Sequence, residues 1–481
     1  MNNNKLKSNI LSKNNNNTLN ENNNTSNNTS NNTSNSTSNS TGNNANNNTN
    51  NTSNNNINFN ILNENTNNGT NPNSSNENIN FNSEYLFNDL IKSISNLFLK
   101  EVSTKNKDYR DDLSKNIVKF LTKTDDGSYT LNSFDFNDGE SETMHTTTGA
   151  ISESFEKFVK PLNLGDNDFS AFHVLDICSG FGYNSSALIQ EFINNHGECN
   201  DSNLSIDMVE LSPYKLAIGL LIPSPIESHD LIKKAIENKL IEKNLLSLNL
   251  VDFKISDNLD INIFIEDARI AVQNLHSNRY DAIFLDAFSP KLTPELYSLD
   301  FFKELYRVIK YDGIIATYTS AIPVRSAFIL AGFHVGEGPV FGRNTGGTIA
   351  SKNPNKITNS LDFDIERMIG LSDIGIPFKD PHLDLDSITI FKNRQQERAD
   401  ARGTYKISSA VKTPIFLDKD IEEGKLKRRV LRNLNAIGIE DTKSKEACYI
   451  IAPQNKDSSN FKNNSKDRVI AMSNNLESFL N

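Results

Sequence analysis

Five short apolar runs alternate with helical segments over residues 172–319, and this alternation limits the folds open to the chain. The runs read FHVLDI, LSIDMVEL, INIFIED, YDAIFLDAF and GIIATYT. Because nearly every position is apolar, each run is typical of a strand buried on both faces. Such strands, separated by helices, predict a mostly parallel sheet in a doubly wound α/β fold. The sequences HVGEGPV and GGTIAS that follow predict a closing antiparallel hairpin.

The chain divides by composition into four segments. Asn, Ser and Thr dominate residues 1–82, which bury too little apolar surface to offset the entropy of ordering, so we expect a disordered tail. Helical spacing, together with the strand-like run SYTLNSFDF (128–136), predicts an N-terminal extension over 83–160. We assign 161–355 to the sheet domain and 356–481 to a helical, partly basic C-terminal extension.

Composition also restricts where the protein works and what it binds. The sequence contains no run of about 18 apolar residues, so it predicts no membrane span. Residues 1–15 lack the apolar core of a signal peptide. Cys178, Cys199 and Cys448 are too few and too scattered for a disulfide framework or a metal site. We therefore expect a cytoplasmic protein without a membrane anchor or a bound metal. Its net charge of −11 is a mild argument against a general nucleic-acid binder.

The stretch VLDICSGFGYNSSALI (174–189) predicts a ligand-binding loop between a strand and a helix. Asp176 closes the strand, and Gly180 and Gly182 let the backbone approach a ligand closely. Ser185 stands at the third glycine position of a dinucleotide fingerprint, and the lysine of a phosphate-binding loop is absent. The loop is therefore a poor cradle for pyrophosphate.

Acidic residues close the next two predicted strands as well. Glu210 is placed to accept hydrogen bonds from a ribose diol, and Asp267 to accept one from an adenine amino group. An adenosine without phosphates points to S-adenosylmethionine, although a single acid at a strand end is often only a turn or cap residue. The predicted donor site comprises Asp176, Ser179, Gly180, Gly182, Glu210, Asp267 and Ala268.

A long stretch resembles a known family. YDAIFLDAFSPKLTPELYSLDFFKELYRVIKYDGIIATYTSAIPVRSAFILAGF, followed by GPVFGRNTGGTIAS, is similar to the methyltransferase half of the bifunctional tRNA wobble-uridine enzymes of the MnmC family, and more so to their stand-alone relatives. The resemblance runs from about residue 128 to about residue 351. It implies a class I S-adenosylmethionine-dependent methyltransferase fold and methylation of the primary amine of 5-aminomethyl-uridine in tRNA. Nothing after residue 351 resembles a flavin-binding half, so we predict no FAD and no oxidase step.

The resemblance places the family's functional Asp, in LDxFxP, on Asp286. A carboxylate there can accept hydrogen bonds from an amine and orient it, which makes Asp286 the candidate catalytic residue. Phe288 and Pro290 are expected to wall the acceptor, and Tyr318 and Ser320 to line its pocket. The alternative interpretation makes Asp286 a capping carboxylate and the tyrosine and serine core or loop residues.

Four further features stay open at this stage. His145 is either a cover for the donor site or a surface histidine, and Arg325 contacts phosphate or caps its helix. Cys178 is expected to pack rather than react, because no basic neighbour activates it in sequence. The basic segment 391–432 is either a surface for an RNA backbone or a solvated helical face.

Three other functions compete with methylation of tRNA. A protein side chain is an alternative acceptor for the same donor site. An aminopropyltransferase uses a related sheet, although its first loop is typically richer in glycine than CSGFG. A non-enzymatic chain would be a regulatory module that binds S-adenosylmethionine.

Overall fold

The helices and strands follow the alternation in the sequence. The computed structural model describes residues 77–134, 141–143, 148–166, 170–196, 202–342 and 345–481. Its strands are β1 (Thr122–Lys123), β2 (Tyr129–Thr130), β3 (Asn132–Phe134), β4 (Ser141–Thr143), β5 (Ala171–Ile177), β6 (Asn203–Val209), β7 (Leu259–Phe264), β8 (Tyr280–Leu285), β9 (Ile309–Thr317), β10 (His334–Glu337) and β11 (Thr348–Ser351). Its helices are α1 (Glu77–Thr104), α2 (Asp108–Asn116), α3 (Ala150–Ser154), α4 (Tyr183–His196), α5 (Pro213–Leu221), α6 (His229–Glu242), α7 (Ala268–Asn274), α8 (Leu299–Val308), α9 (Ile322–Ala331), α10 (Phe363–Leu371), α11 (Ser387–Ala401), α12 (Lys425–Asn435), α13 (Lys445–Ile451) and α14 (Ser465–Leu480).

The main sheet has the strand order β10-β11-β9-β8-β5-β6-β7. Strands β5 to β9 run parallel, while β11 pairs antiparallel with β9 and β10 antiparallel with β11. The chain moves outward from β5 to β7 and then returns to the other side of β5 as β8. The carboxyl ends of β5 and β8 therefore form a topological switch point, where open α/β sheets bind ligands. The predicted parallel sheet and closing hairpin are confirmed.

The strands are apolar at successive positions because the sheet is covered on both faces. Val174 of β5 enters one hydrophobic core, while Leu175 and Ile177 enter another on the opposite face. A third cluster lies in the C-terminal region and includes Leu371, Val430, Leu434, Met472 and Leu476. The C-terminal extension thus has apolar packing of its own.

Helix α9 shows how local sequence ends an element. Pro323 lies in its first turn, where a missing N–H costs nothing. Gly332 ends the helix at φ +110°, a left-handed conformation that favours glycine. The helix predicted to end at Gly332 is confirmed.

The N-terminal elements differ in detail from the expectation. Helix α1 begins at Glu77, earlier than the predicted start at Ser83, and residues 1–76 lie outside the described part of the chain. The run SYTLNSFDF forms β2 and β3, which pair with β1 and β4 in separate two-stranded sheets. The predicted segment boundaries remain predictions.

No helix in the described ranges is long and apolar enough to cross a membrane. The cytoplasmic location stays a prediction.

Buried ion pairs join distant parts of the chain. Arg468 of α14 contacts Glu366 of α10 at 2.6 Å. Near the N-terminus, Arg110 of α2 donates to Glu101 of α1 at 2.9 Å and also contacts Glu237 of α6. Both carboxylates are fully buried, and Arg110 is 5% exposed. Lys234 also contacts Glu237, at 3.4 Å. Arg110 therefore links a carboxylate of α1 to one of α6 and joins the N-terminal helices to the sheet domain.

We expect Arg110→Met to lower the free energy of unfolding by about 3–5 kcal/mol, because it leaves the buried Glu101 without its cation and Glu237 with Lys234 alone. Urea denaturation measures the loss. The control Lys123→Met, at an exposed position, should change the free energy by no more than about 0.5 kcal/mol. Equal denaturation midpoints for the two variants would contradict the role of Arg110.

Candidate functional site

A cavity of about 260 Å³ opens at the carboxyl ends of β5, β6 and β8. Its lining consists of Cys178, Ser179, Gly180, Phe181, Tyr183, Asn184, Val209, Glu210, Leu211, Lys215, Glu266, Asp267, Ala268, Asp286, Ala287, Phe288, Thr293, Glu295, Leu296 and Tyr318. The structure thus brings together most of the predicted site residues around one space. The predicted residues outside the lining are Asp176, Gly182, Pro290 and Ser320.

The loop after β5 turns tightly in front of α4. Cys178, Gly180 and Gly182 all have positive φ, at 61°, 55° and 85°. The N–H of Gly182 donates to the carbonyl of Ser179 at 2.7 Å. A Cβ on Gly182 would lie 2.5 Å from Cγ2 of Ile232, so the turn requires glycine there.

Two buried polar atoms, one at the end of β5 and one in this loop, have no hydrogen-bond partner among the described residues. Oδ2 of Asp176 accepts from the Ser185 hydroxyl at 2.6 Å, while Oδ1 has no hydrogen-bond partner among the described residues. The same holds for Oγ of Ser179. Burial raises the pKa of Asp176 to about 7. Because buried polar atoms are nearly always paired, these two indicate a ligand with polar groups, which suits the methionyl end of S-adenosylmethionine.

Glu210 follows β6 and is held by the backbone. Its Oε2 accepts from the N–H of Gly180 at 3.1 Å, and its Oε1 accepts from the N–H of Ser212 at 2.9 Å. Nζ of Lys215 lies 3.6 Å from Oε1. Each carboxylate oxygen has two lone pairs, so Glu210 can still accept from a ribose diol.

Asp267 caps a helix and also lies at the cavity wall, and its contact with a ligand stays a prediction. It caps α7 by accepting from the N–H of Arg269 at 2.8 Å, and it also lines the cavity. The guanidinium of Arg269 contacts Asp267 at 2.8 Å and Asp380 at 2.9 Å. The C-terminal extension therefore supports the carboxylate that is predicted to contact adenine.

Glu295 is a cavity residue that sequence reasoning missed. It lies in the 3₁₀ turn Pro294–Tyr297 and accepts from the hydroxyl of Ser387 at 2.8 Å. Burial raises its pKa. Glu295 stands inside the stretch that resembles the known family, but its position well after a strand end gave no signal of a ligand contact.

Asp286 follows β8 and is partly buried at the wall of the cavity. Its Oδ2 accepts from Nδ2 of Asn184 at 2.9 Å. Burial raises the pKa of Asp286 to about 7, and the charges of Glu153 and Asp176 act in the same direction. Lys157, in a buried pair with Glu153, opposes this rise. Asp286 can therefore exchange a proton near neutral pH.

The predicted acceptor residues divide into two groups. Phe288 and Tyr318 line the cavity, and Nζ of Lys215 lies 4.9 Å from the centre of the Phe288 ring. The hydroxyl of Ser320 instead donates to Thr345 at 3.4 Å. The roles of Ser320 and Pro290 in the acceptor pocket stay predictions.

The residues left open by the sequence have different outcomes. Arg325 is 1% exposed, and its guanidinium donates to both carboxylate oxygens of Glu337 at 2.7 and 2.6 Å, so it neither contacts phosphate nor caps its helix. Burial raises the pKa of the Cys178 thiol, in line with a packing role. His145 lies outside the described residues.

No group of three or more His, Cys, Asp and Glu side chains forms a metal site in the described ranges. The absence of a metal ion stays a prediction.

Comparison with known proteins places this site in a family. A family model described as S-adenosyl-L-methionine-dependent methyltransferase matches residues 228–353. An uncharacterized protein of Methanocaldococcus jannaschii is 35% identical over 339 residues, which cover 70% of this chain and 88% of that protein. The tRNA 5-methylaminomethyl-2-thiouridine biosynthesis bifunctional protein MnmC of Ralstonia nicotianae is 42% identical over 71 residues, 15% of this chain and 11% of that protein.

The chain belongs to the MnmC-like methyltransferase family. Among solved structures, MnmC2 from Aquifex aeolicus is 27% identical in sequence to this chain. The match covers 66% of this chain and 99% of MnmC2, with a TM-score of 0.47. The matching family model makes this chain an S-adenosylmethionine-dependent methyltransferase, and the orphaned atoms of Asp176 and Ser179 fit such a ligand.

In this methyltransferase, Gly182→Ala should weaken S-adenosylmethionine binding, because the new Cβ distorts the donor loop. The strained φ should also cost about 1–3 kcal/mol of stability. Gly403→Ala is the matched control, since Gly403 has φ +76° with no atom near its Cβ position. Titration calorimetry should show weaker binding for Gly182→Ala alone. An equal affinity in the two variants would contradict the loop's role.

Proposed function

We propose that this methyltransferase N-methylates the aminomethyl group of a modified wobble uridine in tRNA, without a flavin or a metal ion. The observation that carries the proposal is Asp286, a carboxylate at the cavity wall whose pKa burial raises to about 7. The name of the Ralstonia relative specifies tRNA 5-methylaminomethyl-2-thiouridine biosynthesis, which supports tRNA as the substrate.

The donor-site roles follow from the contacts around the cavity. S-adenosylmethionine, when bound, supplies a methyl group on a positively charged sulfur. We assign the methionyl end to Asp176, Ser179 and the glycine loop, in keeping with the orphaned atoms there. Glu210 is assigned to the ribose, and Asp267 with the N–H of Ala268 to adenine, as both line the cavity.

Asp286 prepares the acceptor. A primary amine is mostly protonated at neutral pH and has no free lone pair. The ionised carboxylate of Asp286 accepts a proton from the amine, and Asn184 holds that carboxylate in place through its 2.9 Å hydrogen bond. Phe288 offers an aromatic wall on which the uridine base can stack.

Labelled methyl transfer into a cell extract tests the substrate. The full chain and S-adenosylmethionine are incubated with extract, which is then divided between RNase and protease. Label that disappears with RNase and survives protease is the expected result. Label that disappears only with protease would overturn the tRNA assignment in favour of a protein acceptor.

Asp286→Asn should reduce methyl transfer by at least about 10²-fold, because the amide accepts no proton. Binding of S-adenosylmethionine, measured by calorimetry, should change little. The control Asp252→Asn, at an exposed carboxylate, should transfer methyl at the wild-type rate. Normal turnover in Asp286→Asn would show that another group handles the proton.

The transfer rate should rise with pH. The pKa of Asp286 is raised to about 7, so the carboxylate is protonated and inactive below that pH and ionised above it. Single-turnover rates measured from pH 6 to 8 should therefore climb with an apparent pKa near 7. The residual rate of Asp286→Asn should not show this rise between pH 6 and 8. A wild-type rate that stays constant over this range would contradict the assignment of Asp286.

A further inference from the structure

Three arginines near the start of the basic C-terminal segment are engaged in contacts within the fold. Arg394 is 7% exposed and donates to the carbonyl of Ile376 at 2.6 Å. Arg398 and Arg402 contact the buried Asp373 at 3.0 and 2.9 Å. These charges are used within the fold and leave little for a partner.

Helix α12 is different, because its cations form an exposed stripe. Lys425, Arg428, Arg429 and Arg432 are all exposed, at spacings of i, i+3, i+4 and i+7. These spacings place the four side chains on one face of a helix, over a length of about 10 Å. We refer to these four residues as the α12 basic stripe.

The stripe is electrostatically unfavourable for the protein alone. Like charges three and four residues apart repel one another. Cations in the first turn also oppose the helix dipole, and α12 has no acidic residue there and no side-chain cap at Gly424. Lys427 pairs with Glu423, whereas the four stripe residues have no ion pair among the described residues. A local rule broken in this way is typical of a functional surface.

We propose that the α12 basic stripe binds the phosphate backbone of the RNA substrate. This proposal deepens the proposed function and rests on it for the identity of the RNA. Regularly spaced lysine and arginine side chains suit a chain of phosphates, and such contacts supply most sequence-independent affinity for nucleic acids.

The packing of α12 favours RNA over an anionic membrane surface. A helix that lies on a membrane must insert an apolar face between the lipids. The apolar face of α12 is already occupied, because Val430 and Leu434 are fully buried in the third core. Leu426 of α12 is 41% exposed, and this single apolar side chain does not form an apolar face that could insert into a membrane.

The test compares two triple variants of the full chain with equal changes in net charge. Arg428→Gln, Arg429→Gln and Arg432→Gln are combined in the stripe variant. Lys107→Gln, Lys123→Gln and Lys243→Gln, at exposed positions elsewhere in the chain, are combined in the control variant. Binding of bulk tRNA is measured by fluorescence anisotropy from 0.05 to 0.3 M salt, and methyl transfer to the same tRNA gives KM and kcat.

The stripe variant should bind tRNA about tenfold more weakly at moderate salt, with a log–log salt slope shallower by about two. Its KM for tRNA should rise, while kcat and the affinity for S-adenosylmethionine stay constant. Its thermal midpoint should stay the same or rise, because repulsion has been removed, and this excludes misfolding. The control variant should behave as the wild type.

Several outcomes would overturn the proposal. One is equal affinity of the two variants for tRNA, and another is that the wild type binds no tRNA. The third is that the stripe variant still binds tRNA but no longer binds phosphatidylserine vesicles. The proposed function fails separately. If the wild type binds tRNA through the stripe but transfers no methyl to it, the surface stands and the substrate assignment falls.

Discussion

The burial of two carboxylates at the switch point of the sheet is the constraint on which the site depends. Asp176 lies in β5 and Asp286 directly follows the neighbouring parallel strand β8, and burial raises the pKa of each to about 7. Buried acids are costly unless they are hydrogen-bonded, and each accepts one bond from α4, through Ser185 and Asn184. The first turns of one helix therefore hold both acids, and the glycine loop that begins this helix sets their geometry.

The donor end of the cavity depends on residues far along the chain. Arg269 joins the cavity residue Asp267 to Asp380, and Ser387 donates to Glu295. Both contacts connect the sheet domain to the C-terminal extension, one to the segment before α11 and the other to the first residue of α11. Changes in this part of the C-terminal extension are therefore expected to reach Asp267, the carboxylate that we propose contacts adenine, although the extension has an apolar core of its own.

The sequence predicted best those features that depend on local pattern. The strands were identifiable because burial on both faces makes each run apolar. Glu210 and Asp267 were identifiable as candidates because each is an acidic residue at or near the end of such a run. Asn184 and Glu295 were missed, since their roles depend on partners 102 and 92 residues away. The ion pair of Arg325 could not be predicted either. Its partner, Glu337, lies on a hairpin strand whose register no local sequence pattern specifies.

The basic segment shows why composition alone does not identify a binding surface. Arg398 and Arg429 belong to the same locally basic stretch, yet Arg398 contacts the buried carboxylate of Asp373 while Arg429 is exposed without an ion pair in the described structure. A paired arginine must give up its partner before it binds phosphate, and that loss offsets the gain. An exposed arginine beside other cations relieves repulsion when it binds an anion. The free energy of binding therefore depends on what each cation contacts beforehand, so α12, rather than the whole segment 391–432, is the surface prepared for a polyanion.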